Sequence, residues 1–136
     1  MKKNIKGNIK KNKILLVDDD EIHLSIAETI LKDTYEIVAV RSGKEALDYL
    51  IQGNLPNLVL LDILMPNMNG WETYNTLRGI SLLQDVPIAF LTSLHGIDEE
   101  KHAHEIGAAD YIMKPYSRED LLKRVAAIIE KNEYTG

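Results

Sequence analysis

The chain has 136 residues, of which 45% are hydrophobic and 27% are charged, and its formal net charge is −5 at pH 7. A chain of this length and composition is expected to form one globular domain with its own core, which excludes a disordered polar chain. Because the sequence contains no cysteine, a disulfide framework and a thiolate metal site are also excluded.

The chain begins with a basic segment. Six of the 16 basic residues lie within the first 13 residues, so the rest has 10 basic against 21 acidic residues. This balance does not favour nucleic-acid binding by the folded body. The segment lacks the apolar stretch of a signal peptide, and no apolar run approaches the roughly 20 residues of a membrane span. We therefore expect no membrane contact, and the cytoplasm is the default location.

Apolar runs of strand length then alternate with segments of helical period. The five runs are KILLVD, YEIVAV, NLVLLD, PIAFLT and DYIMK. Helices are predicted over 21–32, from Ser42, after Gly70, over 98–107 and over 117–132. Because Val, Ile and Leu occupy both faces of the strands, the pattern predicts an α/β fold, a parallel five-stranded sheet covered by helices on both sides. The expected limits are a mobile extension over 1–12, the domain over 13–131 and a tail over 132–136.

Three helix starts have side chains suited to capping. Asp20 precedes the first helix and is expected to be its N-cap. Ser42 and Glu45 have the spacing of a capping box, and Ser117 stands three residues before Asp120. These positions support the predicted starts of the first, second and fifth helices.

Polar side chains follow the apolar strands at one predicted edge of the sheet. Ligands of parallel α/β sheets bind beyond the carboxyl ends of the strands. Clustered carboxylates repel one another unless a cation lies between them, so the pattern predicts a site for a hard divalent cation such as Mg²⁺. The residues at these ends are Asp18 and Asp19 after the first strand, Asp62 after the third, Thr92 and Ser93 at the fourth, and Lys114 at the fifth.

Four motifs occur in order over about residues 13–131: VDDD, LLDILMPNMNG, LTS and YIMKPY. In these motifs the chain resembles the response-regulator receiver domain of bacterial two-component signalling, including its chemotaxis regulators. The resemblance implies a doubly wound, flavodoxin-like (βα)₅ fold with strand order 2-1-3-4-5. It also implies a cis peptide bond between Lys114 and Pro115.

The resemblance implies chemical roles for several of these residues. Asp62 is expected to be the phosphoacceptor, which takes a phosphoryl group from a phosphohistidine of a sensor histidine kinase or a histidine phosphotransfer protein. Thr92 would donate its hydroxyl to a phosphoryl oxygen, and Lys114 would supply a fixed positive charge. Tyr111 corresponds to the aromatic switch residue of the family.

The resemblance also implies the ligands of the cation. Mg²⁺ would be held by Asp19, Asp62 and the backbone carbonyl of Leu64, with Asp18 taking part directly or through water. The protein would then be a signalling domain rather than an enzyme acting on other substrates, although it would catalyse its own phosphorylation and slow dephosphorylation.

Phosphorylation is expected to change the surface formed by the fourth helix, the fifth strand and the fifth helix. A downstream protein or a second copy of the chain would bind there. Because no output domain is recognised within the 136 residues, we expect output through a partner. A stand-alone regulator, a relay intermediate and a receiver from a longer protein all remain open.

Two alternative functions belong to other classes of protein, an enzyme and an interaction module. The stretch DDDEI partly matches the D-x-D-x-[TV] strand end of phosphatases of the haloacid-dehalogenase type, with Asp18 as nucleophile, but Ile22 breaks the pattern. A pseudo-receiver would keep the fold as an interaction module without phosphorylation. Retention of the full acidic, threonine and lysine set argues against that alternative.

The four histidines and one helical stripe with aromatic residues are predicted to have structural rather than chemical roles. His102 and His104 are two residues apart and face different sides of a helix, and neither of the other two histidines has a partner at ligand spacing. We interpret all four histidines, including His23 and His95, as surface or rim residues. The helical stripe of Trp71, Tyr74 and Leu77 is interpreted as core packing rather than a base-stacking platform.

Overall fold

The computed structural model describes residues 10–135. These residues form one parallel sheet with strand order β2-β1-β3-β4-β5, as predicted. The strands are β1 Lys13–Val17, β2 Glu36–Val40, β3 Leu58–Leu61, β4 Ile88–Thr92 and β5 Tyr111–Met113. The helices are α1 Glu21–Leu31, α2 Gly43–Leu50, α3 Gly70–Arg78, α4 Ile97–Glu105 and α5 Arg118–Thr135.

The central strands are buried on both faces, which explains their unbroken apolar sequences. In β1, Ile14 and Leu16 face the layer that contains α1 and α5, while Leu15 and Val17 face the opposite layer with α2 and α3. All four side chains are at most 2% exposed. Because successive side chains of a strand point to opposite faces, β1 packs against the helical layers on both sides of the sheet.

The predicted helix caps are largely confirmed. Asp20 accepts hydrogen bonds from two backbone N–H groups of α1, and the Ser117 hydroxyl accepts one from the N–H of Asp120 at 3.0 Å. Ser42 accepts from the N–H of Glu45, but the Glu45 carboxylate accepts from the N–H of Arg41 rather than from Ser42. The second cap is therefore half of a capping box.

Two features of the fold differ from the sequence-based expectation. A short 3₁₀ helix over Ser81–Leu83, which the pattern did not predict, precedes β4. The sequence predicts the fifth helix over 117–132, whereas α5 runs over Arg118–Thr135, where no proline or glycine interrupts it; the limits of the domain and of the tail stay predictions. The Asn132 side chain also donates to the carbonyl of Asp85 at 3.2 Å.

The predicted N-terminal extension lies mostly outside the described residues. Within its described part, the carbonyl of Asn12 accepts the N–H of Glu36 at 2.9 Å, which extends the β1–β2 pairing. Among residues 10–135, no helix is both long enough and apolar enough to cross a lipid bilayer.

Candidate functional site

The predicted acidic cluster forms at the carboxyl edge of the sheet. Val17 of β1 pairs with Leu61 of β3, so the residues that follow them, Asp18 and Asp62, leave adjacent strands side by side. Oxygens of Asp18, Asp19 and Asp62 all lie within 4.8 Å of one another. Asp18 and Asp62 are buried, whereas Asp19 is partly exposed.

Backbone N–H groups hold one oxygen of each buried carboxylate. The Oδ1 atom of Asp62 accepts from the N–H of Ile63 at 2.7 Å and from that of Leu64 at 3.3 Å. The Oδ1 atom of Asp18 accepts from the N–H of Asp20 at 2.9 Å. These bonds orient both carboxylates and leave their Oδ2 atoms directed into the site.

Lys114 reaches both buried carboxylates from the end of β5. Its Nζ atom donates to Oδ2 of Asp18 at 2.5 Å and to Oδ2 of Asp62 at 3.4 Å. The lysine side chain is only 8% exposed. The following peptide bond, Lys114–Pro115, is cis, as predicted.

The charges of the site favour an added cation. Burial raises the pKa of the Asp18 carboxyl, and the hydrogen bonds from Lys114 and from the N–H of Asp20 offset this only in part. One ammonium faces three carboxyl groups, so a hard divalent cation fits this oxygen donor set. The backbone carbonyl of Leu64, two residues after Asp62, remains the predicted fourth ligand.

Thr92 and Tyr111 lie behind the site, at the neighbouring strands. Thr92 ends β4 and is fully buried, and its hydroxyl accepts from the N–H of Leu94 at 3.2 Å. The Tyr111 ring lies inward at 2% exposure, and its hydroxyl donates to the carbonyl of Leu94 at 2.7 Å. Burial, together with nearby carboxylates, raises the pKa of Tyr111 to about 12. Tyr111 therefore ties β5 to the segment between β4 and α4 as a hydrogen-bond donor.

Two histidines contact Lys114, which the sequence did not predict. Nδ1 of His23 lies 2.9 Å from the Lys114 ammonium, and Nε2 of His95 lies 2.6 Å from the Lys114 backbone carbonyl. One signal was available in the sequence, because a helix that begins directly after β1 must place its first turn at the same edge of the sheet as Asp62. Both histidines lie at the rim of the site, as interpreted from the sequence, since His23 is partly exposed and His95 is exposed; their contacts with Lys114 are the unexpected feature.

Arg41 is a further residue of the site that the sequence did not reveal. It follows β2, and its guanidinium donates to the backbone carbonyl of Asp19 at 3.1 Å and to the carboxylate of Glu21 at 3.3 Å. These bonds brace the turn that carries Asp18 and Asp19. A neighbouring strand thus supports the position of the acidic cluster.

Asp20 has a different task from the two aspartates before it. Its Oδ1 atom accepts from the N–H of Ile22 at 2.9 Å and from that of His23 at 3.2 Å. Asp20 caps the helix and is not among the three carboxylates whose oxygens lie within 4.8 Å of one another. The dehalogenase-type alternative, which needs Asp18 and Asp20 in one site, therefore loses its main support.

Comparisons with known proteins agree with this geometry. The family described as the response regulator receiver domain matches residues 14–126. The response regulator MprA of a Mycobacterium species is 36% identical over 120 residues, which cover 88% of this chain and 51% of that protein. The "Probable transcriptional regulator ycf27" of Cyanophora paradoxa is 39% identical over 126 residues, which cover 92% of this chain and 51% of that protein.

A solved structure has the same fold. A CheY-like response regulator receiver domain protein from Methanospirillum hungatei superposes with a TM-score of 0.84 at 29% identity, over 93% of this chain and 100% of that one. The chain spans about half the length of the two curated relatives. The likeness to those relatives therefore covers one part of each.

Proposed function

The chain belongs to the family of response regulator receiver domains, and on this basis we propose that Asp62 accepts a phosphoryl group from a phosphohistidine. The donor would be a sensor histidine kinase or a histidine phosphotransfer protein. Receiver domains are signalling domains of two-component systems, and we place this one in the cytoplasm, where such donors present their phosphohistidines.

One observation carries the proposal. The Asp62 carboxylate lies within 4.8 Å of the carboxylates of Asp18 and Asp19, and its Oδ2 atom lies 3.4 Å from the Lys114 ammonium. A nucleophilic carboxylate beside a cation-binding set and a fixed positive charge is the arrangement that phosphoryl transfer requires. Asp18, Asp19, Asp62 and the Leu64 carbonyl would hold Mg²⁺, which would neutralise charge on the phosphoryl oxygens.

The transfer forms one bond and breaks one. An oxygen of Asp62 attacks phosphorus, the phosphorus–nitrogen bond of the phosphohistidine breaks, and the bonding pair stays on the imidazole, which takes up a proton. Lys114 stabilises the transferred group by its charge, and Thr92 donates its hydroxyl to a phosphoryl oxygen. The product is an acyl phosphate on Asp62.

The proposed output runs through Thr92 and Tyr111. In the proposal, the Thr92 side chain moves toward the phosphoryl oxygen to donate its hydroxyl, and this movement breaks the bond that the hydroxyl oxygen accepts from the N–H of Leu94. The carbonyl of the same Leu94 accepts from the Tyr111 hydroxyl, so the movement also disturbs Tyr111. A phosphoryl group that favours one packing of this segment shifts the population of the surface formed by α4, β5 and α5. A downstream protein or a second copy of the chain would bind that surface.

The test is phosphorylation by acetyl phosphate in the presence of Mg²⁺, followed by intact mass. The wild-type protein should gain one phosphoryl group, and Asp62→Asn should gain none. Lys114→Ala should slow the uptake strongly, since it removes the positive charge beside Asp62.

Asp48→Asn is the matched control, because it removes an aspartate from the exposed face of α2, where Asp48 pairs with Lys44. This control should be phosphorylated like the wild type. If Asp62→Asn were labelled normally while Asp18→Asn was not, the proposal would be wrong and a nucleophile at Asp18 would take its place.

A further inference from the structure

His23 occupies the first turn of α1 and aims one ring nitrogen at the site. Its Nδ1 atom lies 2.9 Å from Nζ of Lys114. The same nitrogen is 3.8 Å from carboxylate oxygens of both Asp18 and Asp20, beyond hydrogen-bond distance. Among these three distances from Nδ1 of His23, only the one to the Lys114 ammonium is within hydrogen-bond range.

The Lys114 ammonium has three N–H donors, and three acceptors surround it. They are Oδ2 of Asp18 at 2.5 Å, Nδ1 of His23 at 2.9 Å and Oδ2 of Asp62 at 3.4 Å. Because an ammonium has no acceptor, Nδ1 of His23 must accept, and the neutral ring then has its proton on Nε2. His23 is the only uncharged acceptor of the three.

We propose that His23 is a positioning residue, which holds the Lys114 ammonium over Asp62 during phosphoryl transfer. The inference rests on the proposed function of Asp62. Both carboxylates that share the ammonium have other tasks in that reaction, since Asp62 is the nucleophile and Asp18 belongs to the cation-binding set. His23 has no such task, so its hold on Lys114 persists through the reaction.

The surroundings fix both partners of this contact. The N–H of His23 donates to the cap residue Asp20 at 3.2 Å, which sets the start of the side chain. At the other end, Nε2 of His95 donates to the Lys114 carbonyl at 2.6 Å. The lysine stem between these points lines a cleft of about 370 Å³ together with Ile26, Pro115 and Tyr116.

A held ammonium matters because lysine is flexible. Its side chain has about 2 kcal/mol of rotamer entropy, and a small misplacement of a charged group lowers the rate of transfer. A hydrogen bond to a charged group is strong enough to restrict it. Loss of the His23 acceptor should therefore lower the rate of phosphorylation rather than the stability of the fold.

The test compares His23→Leu, which removes the acceptor, with His23→Asn, whose side-chain oxygen can take the place of Nδ1. His104→Leu is the matched control, because His104 is an exposed histidine of α4 away from Lys114. The first readout is the nuclear magnetic resonance signal of the Lys114 ammonium in protein with isotope-labelled lysine. The second is the rate of phosphorylation by acetyl phosphate at saturating Mg²⁺.

The wild type, His23→Asn and His104→Leu should show the ammonium signal, because a held ammonium exchanges its protons slowly with water. His23→Leu should lose it. The phosphorylation rate should fall about tenfold in His23→Leu and stay within about threefold of wild type in His23→Asn. Mg²⁺ affinity, measured by calorimetry, should stay the same in all four proteins.

Three results would overturn the inference. An ammonium signal unchanged in His23→Leu would show that the ring does not hold Lys114. An unchanged rate in His23→Leu, with Lys114→Ala slow, would refute the positioning role and leave the proposed function intact. A wild-type protein that takes up no phosphoryl group would refute the proposed function and this role with it, even if the signal still depended on His23.

Discussion

Asp18 shows how a single residue can favour cation binding over stability. It is 6% exposed, and burial raises its pKa despite the bond from Lys114. The ionised carboxylate is therefore less stable in the fold than in water. Burial of this carboxylate therefore lowers the stability of the metal-free protein, and a bound cation would offset the loss.

We predict that Asp18→Asn raises the free energy of unfolding of the metal-free protein, measured by urea denaturation with a chelator at neutral pH. In wild type, free Mg²⁺ at about 100 times its Kd should add about 2.7 kcal/mol. The variant should lose most of that gain, while Asp48→Asn should keep it. A metal-free variant less stable than wild type would mean that the pair with Lys114 outweighs the burial of Asp18.

Leu64 is a second residue with a measurable consequence. Leu64 lies two positions after Asp62, the residue is 52% exposed, and its N–H donates to Asp62. An isobutyl group can exclude water from the acyl phosphate but cannot orient it, whereas an amide can. We therefore expect the phosphorylated protein to be long-lived.

Leu64→Asn should lose its phosphoryl group about fivefold faster than wild type, because a polar side chain can place the attacking water in line. Intact mass followed over time measures the rate at matched Mg²⁺. Leu55→Asn is the control, since Leu55 is similarly exposed at 43% and lies before β3 rather than after it. Equal rates in wild type and Leu64→Asn would exclude Leu64 as a determinant of the lifetime.

At the scale of elements, the start of α3 is fixed against the end of β3. A Cβ atom on Gly70 would lie 2.3 Å from the Asp62 carbonyl oxygen and 2.6 Å from Cα of Ile63. The N–H of Gly70 also donates to the Ile63 carbonyl at 2.9 Å. The glycine thus lets the helix begin in contact with the backbone of Asp62.

Gly70→Ala should lower the free energy of unfolding by about 2 kcal/mol, because the clash is with backbone that cannot move without displacing Asp62. Gly79→Ala is the control at the other end of α3, where the nearest atom would be 3.5 Å from the added Cβ and φ is −80°. That change should stay within about 1 kcal/mol. Equal losses of stability in urea denaturation would contradict the close-contact argument.

Helix starts were predictable from the sequence where the capping side chain and the backbone N–H that it binds lie within one helical turn of each other. The bond between Ser117 and the N–H of Asp120 is such a case. The capping box of Asn69 and Glu72 has the same spacing and was available to the same reasoning, although only the helix after Gly70 was predicted. The 3₁₀ helix before β4 has no comparable periodic signal.

At the scale of the molecule, the site was predictable because parallel strands bring all their carboxyl ends to one edge. That rule places Asp62 and Lys114 together although they are 52 residues apart. It does not give side-chain directions, so the contact of His23 with Lys114, across 91 residues, could not be read from spacing. The bracing of Asp19 by Arg41 depends in the same way on the β1–β2 register.

Chemical mapping of the modified residue can show whether Asp62 carries the phosphoryl group. The phosphorylated protein is reduced with borohydride, which converts an aspartyl phosphate to homoserine, and is then digested and sequenced by mass spectrometry. We expect the reduced residue at position 62 alone, in a Mg²⁺-dependent yield. Reduction at Asp18 instead, with Asp62 unmodified, would contradict this expectation.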